Sequence, residues 1–225
     1  MPDYIDRTQK DFIVALDRMR LKAVQAFAKL KDKLTADELR AVVAGKMDDF
    51  VMNELNFKGD IDKLMLAYDK VLLGTPKFAE VSEVTLRALK QVKRAEWVAL
   101  AKFEIGAIQN EIFNASLTNQ WNQKAIMNNL ITGVHSNLSE GQINTLIETS
   151  LSTYERNVTT AMMEEMPKDT LYYYAGPLDE KTRDICNTMI GAGELTEAEI
   201  ISQFGADVLQ SGGGFNCRHK WSLSG

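Results

Sequence analysis

Cys186, Cys217 and His219, near the C-terminal end, are the residues of this chain whose types and spacing could do chemistry. Thiolate and imidazole are the donors zinc prefers, in a tetrahedral shell that structural sites usually fill with four protein groups. Asp179 or His135 would be the fourth. Cys217-x-His219 lacks the two-residue spacing of a zinc knuckle or ribbon, so spacing alone does not select the metal reading. The first reading is a pair of buried structural thiols with no cofactor, since free cysteine is among the most buried residue types. Zinc held by Cys186, Cys217 and His219 is the second, and a Cys186–Cys217 disulfide, open only in an oxidising medium, is the third.

The same atoms could serve a reaction, with Cys217 or Cys186 as nucleophile, His219 as base and Asp179 orienting the imidazole. Two residues apart on a strand, Cys217 and His219 would share a face. A triad needs convergence in space that a sequence does not show, and the chain is read as not an enzyme. Gly212-Gly213-Gly214 lacks the following Lys-Ser/Thr of a phosphate-cradling loop and opens no helical pattern.

The elements that must position these groups lie between residues 171 and 225. Leu171-Tyr172-Tyr173-Tyr174-Ala175 before Gly176-Pro177 reads as a short strand entering a turn, with Tyr172 and Tyr174 on one face and Tyr173 on the other. Residues 180–190 read as a helix, and Thr196-x-x-Glu199 is a capping box, with Leu195 and Ile200 as its staple. Residues 215–223 return as a strand. Arg183 and Arg218 are expected to bridge backbone carbonyls or to pair with Asp179 or Asp184. The glycines at 212–214 would let the backbone pass close over the helix that starts at Thr196. So small a unit has little core and needs bracing between its ends, with Trp221 large enough to cover the join.

Two blocks carry a resemblance. Asp179-x-x-Thr182-Arg183-x-x-Cys186, followed about 30 residues later by Gly-Gly-x-Asn216-Cys217-Arg218-His219-x-Trp221, resembles the C-terminal module of the Mu F-like minor head proteins of tailed bacteriophages, also called phage head morphogenesis proteins. The likeness covers the last quarter of the chain. Many relatives carry Pro and His before Asn-Cys-Arg and a second Cys after it; here Gly213 and Gly214 precede and His219 follows. The resemblance implies a structural minor capsid protein acting in head morphogenesis near the portal, and in genome packaging or ejection. Its partners would be portal and other capsid proteins, in several copies, with phage DNA nearby. Its location would be the virion head or head–tail junction, and the host cytoplasm during assembly. Asp179, Thr182, Arg183, Asn216, Arg218 and Trp221 would be structural motif residues. A Cys/His-dependent enzyme or toxin-like effector carried by the phage is the alternative.

The rest of the chain reads as helix. With 225 residues, 45% apolar and 25% charged, it has the composition of an ordinary globular protein, and a net charge of −5 argues against a broad sequence-independent grip on DNA. No apolar stretch approaches a membrane span, and Met1-Pro2-Asp3-Tyr4 has neither a basic nor an apolar leader region. Residues 5–33 carry an apolar stripe of Phe12, Leu16, Met19, Ala23, Phe27 and Leu30. The other faces hold Lys10, Arg18, Arg20, Lys22, Lys29, Lys31 and Lys33, read as a solvated surface or a contact for an acidic partner. Thr35-x-x-Glu38 starts a helix running to about residue 54, and 56–60 is a turn before a helix over 61–73. A long helical period runs over 78–113 through Leu86, Leu89, Val92, Ala95, Trp97, Leu100, Phe103, Ile105, Ile108 and Ile112. A short helix over 121–131 follows. Ser139-x-x-Gln142 then opens a last helix ending near Met166-Pro167. The expectation is a mainly α protein: an elongated helical body over 1–168 and a small α+β domain over 169–225.

Overall fold

Reciprocal capping starts three helices at the residues the pattern named. The backbone N–H of Thr35 donates to Glu38 Oε2 at 2.8 Å, and that of Glu38 to Thr35 Oγ1 at 3.3 Å. Ser139 and Gln142 exchange the same pair at 2.8 and 3.3 Å, as do Thr196 and Glu199 at 2.8 and 3.3 Å. Each box satisfies two amides that a helix N-terminus would otherwise leave bare.

The computed structural model describes residues 3–117, 121–131 and 139–224, with the side chains of 3, 4 and 131 excepted. The helices are α1 (Asp3–Lys31), α2 (Ala36–Asp49), α3 (Phe57–Leu64), α4 (Leu66–Gly74), α5 (Glu83–Leu117), α6 (Gln123–Ile131), α7 (Glu140–Glu165), α8 (Asp184–Gly191), α9 (Glu197–Phe204) and α10 (Val208–Ser211). A π-helical stretch, Phe50–Glu54, extends α2, and a 3-10 turn, Phe78–Glu80, precedes α5. The strands β1 (Leu171–Ala175), β2 (Glu194–Thr196) and β3 (Lys220–Leu223) form one antiparallel sheet in the order β2-β1-β3. The protein is mainly α with a small C-terminal α+β part. No helix among the described residues is long and apolar enough to cross a membrane.

Two compact units form: residues 1–64 with 94–144, and residues 65–93 with 145–225. The unit holding the tail therefore also takes in α4, the start of α5 and most of α7.

In the first unit the α1 stripe is buried from Phe12 through Phe27. Phe12 meets Trp97 edge-on with ring centroids 4.9 Å apart and lies 6.3 Å from Phe57, an arrangement the aromatic quadrupole favours. Arg20, expected on the solvated face, is instead buried: Nη2 donates to Glu104 Oε2 at 2.7 Å and Nη1 to Asp17 at 2.9 Å. The periodicity of α5 also drifts. Trp97, Ala101, Ile105, Ile108 and Ile112 are buried, while Val92, Ala95 and Phe103 face outward. The turn expected at 56–60 shrinks to Asn56, left-handed at φ 57°, and helix resumes at once because Phe57, Ile61 and Leu64 share a buried face.

In the second unit, Tyr68 and Tyr154 pack edge to face at 5.0 Å, and the Tyr68 hydroxyl lies 2.7 Å from Ser150 Oγ. The remaining core gathers on one side of the sheet. Met162 and Met163 of α7, Met189 of α8, Ile200 of α9 and Leu209 of α10 join Tyr172, Tyr174, Leu195 and Trp221 from the strands.

Candidate functional site

The strand pleat decides which side chains enter the site. Tyr172 and Tyr174 point into the core and Tyr173 points out, as the period of two requires. Tyr174 pairs with Trp221 across the β1–β3 ladder, their rings 4.9 Å apart, and it stacks on His219 at 5.7 Å with an interplanar angle of 14°. His219, immediately before β3, is only 2% exposed. Its ring lies directly over Gly176: a Cβ there would stand 2.4 Å from His219 Cδ2, so the Gly-Pro turn needs its glycine for close approach.

The cysteines arrive from opposite ends of the tail. Residues 179–182 form a turn rather than the first turn of a helix. Thr182 Oγ1 accepts from the Asp179 amide at 2.9 Å and donates to the Pro177 carbonyl at 3.0 Å, and Asp179 Oδ1 accepts from the Lys181 amide at 2.9 Å. This local bonding outcompetes helix, so α8 begins at Asp184 and turns Cys186 and Met189 inward. Cys217 follows Asn216, held left-handed at φ 58° with Oδ1 accepting from Thr149 Oγ1. The Cys186 and Cys217 sulfurs stand 3.7 Å apart, both thiols free and buried. Tyr174 Oη is 3.4 Å and His219 Nδ1 3.9 Å from Cys217 Sγ. Gly213 passes over α8, not over α9 as expected: a Cβ at 213 would lie 2.3 Å from Cys186 Sγ.

The arginines take the two roles foreseen for them, one each. Arg183 spans carbonyls, donating to Gly213 O at 2.8 Å and to Phe215 O. Arg218 grips Asp179 with both Nη atoms, at 2.6 and 2.7 Å. Both oxygens of Asp179 thus face a guanidinium rather than the imidazole, and the cluster of metal-capable side chains contains Cys186, Cys217 and His219 without it. His135 lies outside the described residues.

A third arginine, Arg156 of α7, is central and was not singled out by the sequence. It is 3% exposed. Its Nε donates to Gln210 O at 2.6 Å and Nη1 to Cys217 O at 2.9 Å, with His219 O at 3.5 Å, and Nη2 reaches Thr153 Oγ1 at 3.1 Å. It ties the returning tail to α7 through backbone carbonyls. The sequence signal was Met163, which with Arg156 and Thr159 makes a second buried row beside the Ile147–Leu151–Tyr154–Val158 stripe.

Electrostatics follow this packing. Burial, and then the neighbouring Cys217, push the Cys186 thiol up. Burial also raises Cys217, but hydrogen bonds from the Tyr174 hydroxyl and the His219 and Gly213 backbone outweigh it, leaving Cys217 the more acidic thiol. Burial and the Arg218 charge lower His219, favouring neutral imidazole.

Hydrogen bonds from Arg218 bring the Asp179 carboxyl down to about 2. A depressed carboxyl stabilises the fold above its unfolded pKa, roughly 3.9, and loses that contribution as pH falls through the folded value. Asp179→Asn is therefore expected to lower the melting temperature at neutral pH and to converge with the parent near pH 2. Parallel pH–melting curves for the two proteins would show that the pair contributes nothing.

No known protein family, curated protein or solved structure matches the chain.

Proposed function

We propose that the chain is a structural minor head protein of a tailed bacteriophage, acting in head morphogenesis near the portal, and that its C-terminal module is a packing unit rather than a reaction centre. The observation that carries this reading is the pairing of the two blocks on which the resemblance rests. Asp179 of the first meets Arg218 of the second, Arg183 reaches the carbonyls of Gly213 and Phe215, and Cys186 faces Cys217. Residues widely separated in sequence thus close a small module on itself, which such a module needs because it has little core of its own. The burial of Cys217, His219 and Trp221, at 4%, 2% and 2%, suits packing better than turnover of a large substrate.

On this reading the protein is present in fixed proportion to the portal in purified particles, several copies to a head. Trp221→Ala removes a buried ring that touches Tyr174 and Phe204, at a cost of about 3–5 kcal/mol. Incorporation into particles is expected to fall in step with that lost stability. Particles that lack the chain altogether would remove the minor-head reading. Particles that incorporate Cys217→Ser normally yet fail to infect would move chemistry ahead of packing.

A further inference from the structure

The structure assigns a metal site to the sulfur cluster: we propose that Cys186 Sγ, Cys217 Sγ and His219 Nδ1 bind one zinc-class cation, with Tyr174 Oη at the remaining corner of the shell. The three Cys/His ligand atoms lie within 4.8 Å of one another. For zinc–sulfur bonds of about 2.3 Å, a tetrahedral shell places two sulfurs about 3.8 Å apart, and a sulfur and a nitrogen or oxygen about 3.5 Å apart. The separations here are 3.7 Å between the sulfurs, 3.9 Å from Cys217 Sγ to His219 Nδ1 and 3.4 Å from Cys217 Sγ to Tyr174 Oη. These three separations, which meet at Cys217 Sγ, are close to the edges of one coordination polyhedron.

Packing alone does not account for this set. Two thiols need only apolar neighbours, and a third small apolar group would fill the space more cheaply than an imidazole that is only 2% exposed. Here the ring is turned toward a sulfur, and two glycines keep clear the space that close approach requires. A Cβ at Gly213 would collide with Cys186 Sγ at 2.3 Å, and one at Gly176 with the His219 ring at 2.4 Å. The surroundings complete a second layer. The His219 backbone N–H points at Cys217 Sγ at 3.4 Å, and Arg156 fixes the Cys217 carbonyl at 2.9 Å. Two soft sulfurs with an imidazole select Zn²⁺ over hard, oxygen-seeking Mg²⁺ or Ca²⁺. The ligands come from α8 and from the segment entering β3, with Tyr174 on β1, so one ion would lock the module's two ends to its central strand. The inference is independent of the virion role: metal retention is read on the isolated chain, incorporation on particles.

The test is a titration of the full chain, purified under reductant and stripped with a chelator, first with Co²⁺ and then with Zn²⁺. The expected result is a sulfur-to-cobalt charge-transfer absorption that saturates at about one equivalent and is displaced by Zn²⁺. Zn²⁺ at a hundredfold excess over its dissociation constant should raise the melting temperature by roughly 5–10 °C. Cys186→Ser and His219→Gln should weaken binding by on the order of 100-fold, and Tyr174→Phe should keep the two-sulfur absorption while binding about tenfold more weakly. A stripped chain whose thiols titrate as free but which gives no charge-transfer band overturns the proposal. So does an equal band in a chain carrying both Cys186→Ser and Cys217→Ser. If these variants do not fold, the parent titration decides alone.

Discussion

Arg156→Ala is expected to lower the unfolding free energy by about 3–5 kcal/mol, among the largest losses of any single change in the C-terminal unit. The guanidinium donates to Gln210 O, Cys217 O and Thr153 Oγ1 at 2.6, 2.9 and 3.1 Å, and its own helix supplies none of the backbone acceptors. Removing it strands the buried Cys217 carbonyl, and an unsatisfied buried acceptor costs more than the net worth of the bond it lost. Burial lowers the pKa of this arginine, but a guanidinium is not deprotonated in proteins, so the bonds are charge-assisted. Arg156→Lys should recover little, because a single ammonium cannot span acceptors set out for a planar fork. Urea melts of the three proteins check this. Full recovery by lysine, or a loss under about 1 kcal/mol in the alanine variant, would mean that the tail is held to α7 by apolar contact instead.

What the sequence made legible was local. Helix starts at Thr35, Ser139 and Thr196 depend on side chains three residues apart, and the inward turn of Tyr172 and Tyr174 depends on pleat alone. The stripe on α1 held from Phe12 to Phe27 because those side chains pack into the core of its unit. Where more than one face is covered the stripe misleads. Arg20 and Arg156 are both buried, each satisfied by partners 50 or more residues away that no periodicity announces. Strand β2 is three residues long and exists because Glu194, Leu195 and Thr196 lie against Tyr173, Tyr172 and Leu171. Such a strand carries too few positions for an alternation to register. In the candidate site, Cys186, Cys217 and His219 were visible by type and the two arginines by position. Their meeting was not, since it depends on how α8 and the glycine segment cross. The α9 crossing expected for the glycines failed for that reason. The sequence shows that 212–214 can approach something closely but not which helix.

Gly213→Ala is expected to lower the unfolding free energy by about 2–3 kcal/mol through sterics alone. The backbone at Gly213 does not lie in the left-handed region, so an alanine there meets no conformational penalty. Its methyl would instead sit 2.3 Å from Cys186 Sγ and 3.3 Å from Ile185 Cγ2. The sulfur cannot simply swing away, because Cys186 is 2% exposed, and Arg183 anchors the Gly213 carbonyl at 2.8 Å. Gly45→Ala is the control. It sits within α2 with nothing inside 4 Å of the added carbon, and should stabilise by roughly 0.5–1 kcal/mol through helix propensity. The cause can be isolated by removing the obstacle. Cys186→Ala takes away the sulfur that the methyl strikes, so the double variant should be more stable than the two single losses sum to, with a coupling on the order of 1 kcal/mol or more. Additive losses would place the clash elsewhere. A Gly213→Ala protein within about 0.5 kcal/mol of the parent would show that the glycine segment does not press on the sulfur pair, and the close approach that holds the donor cluster together would go with it.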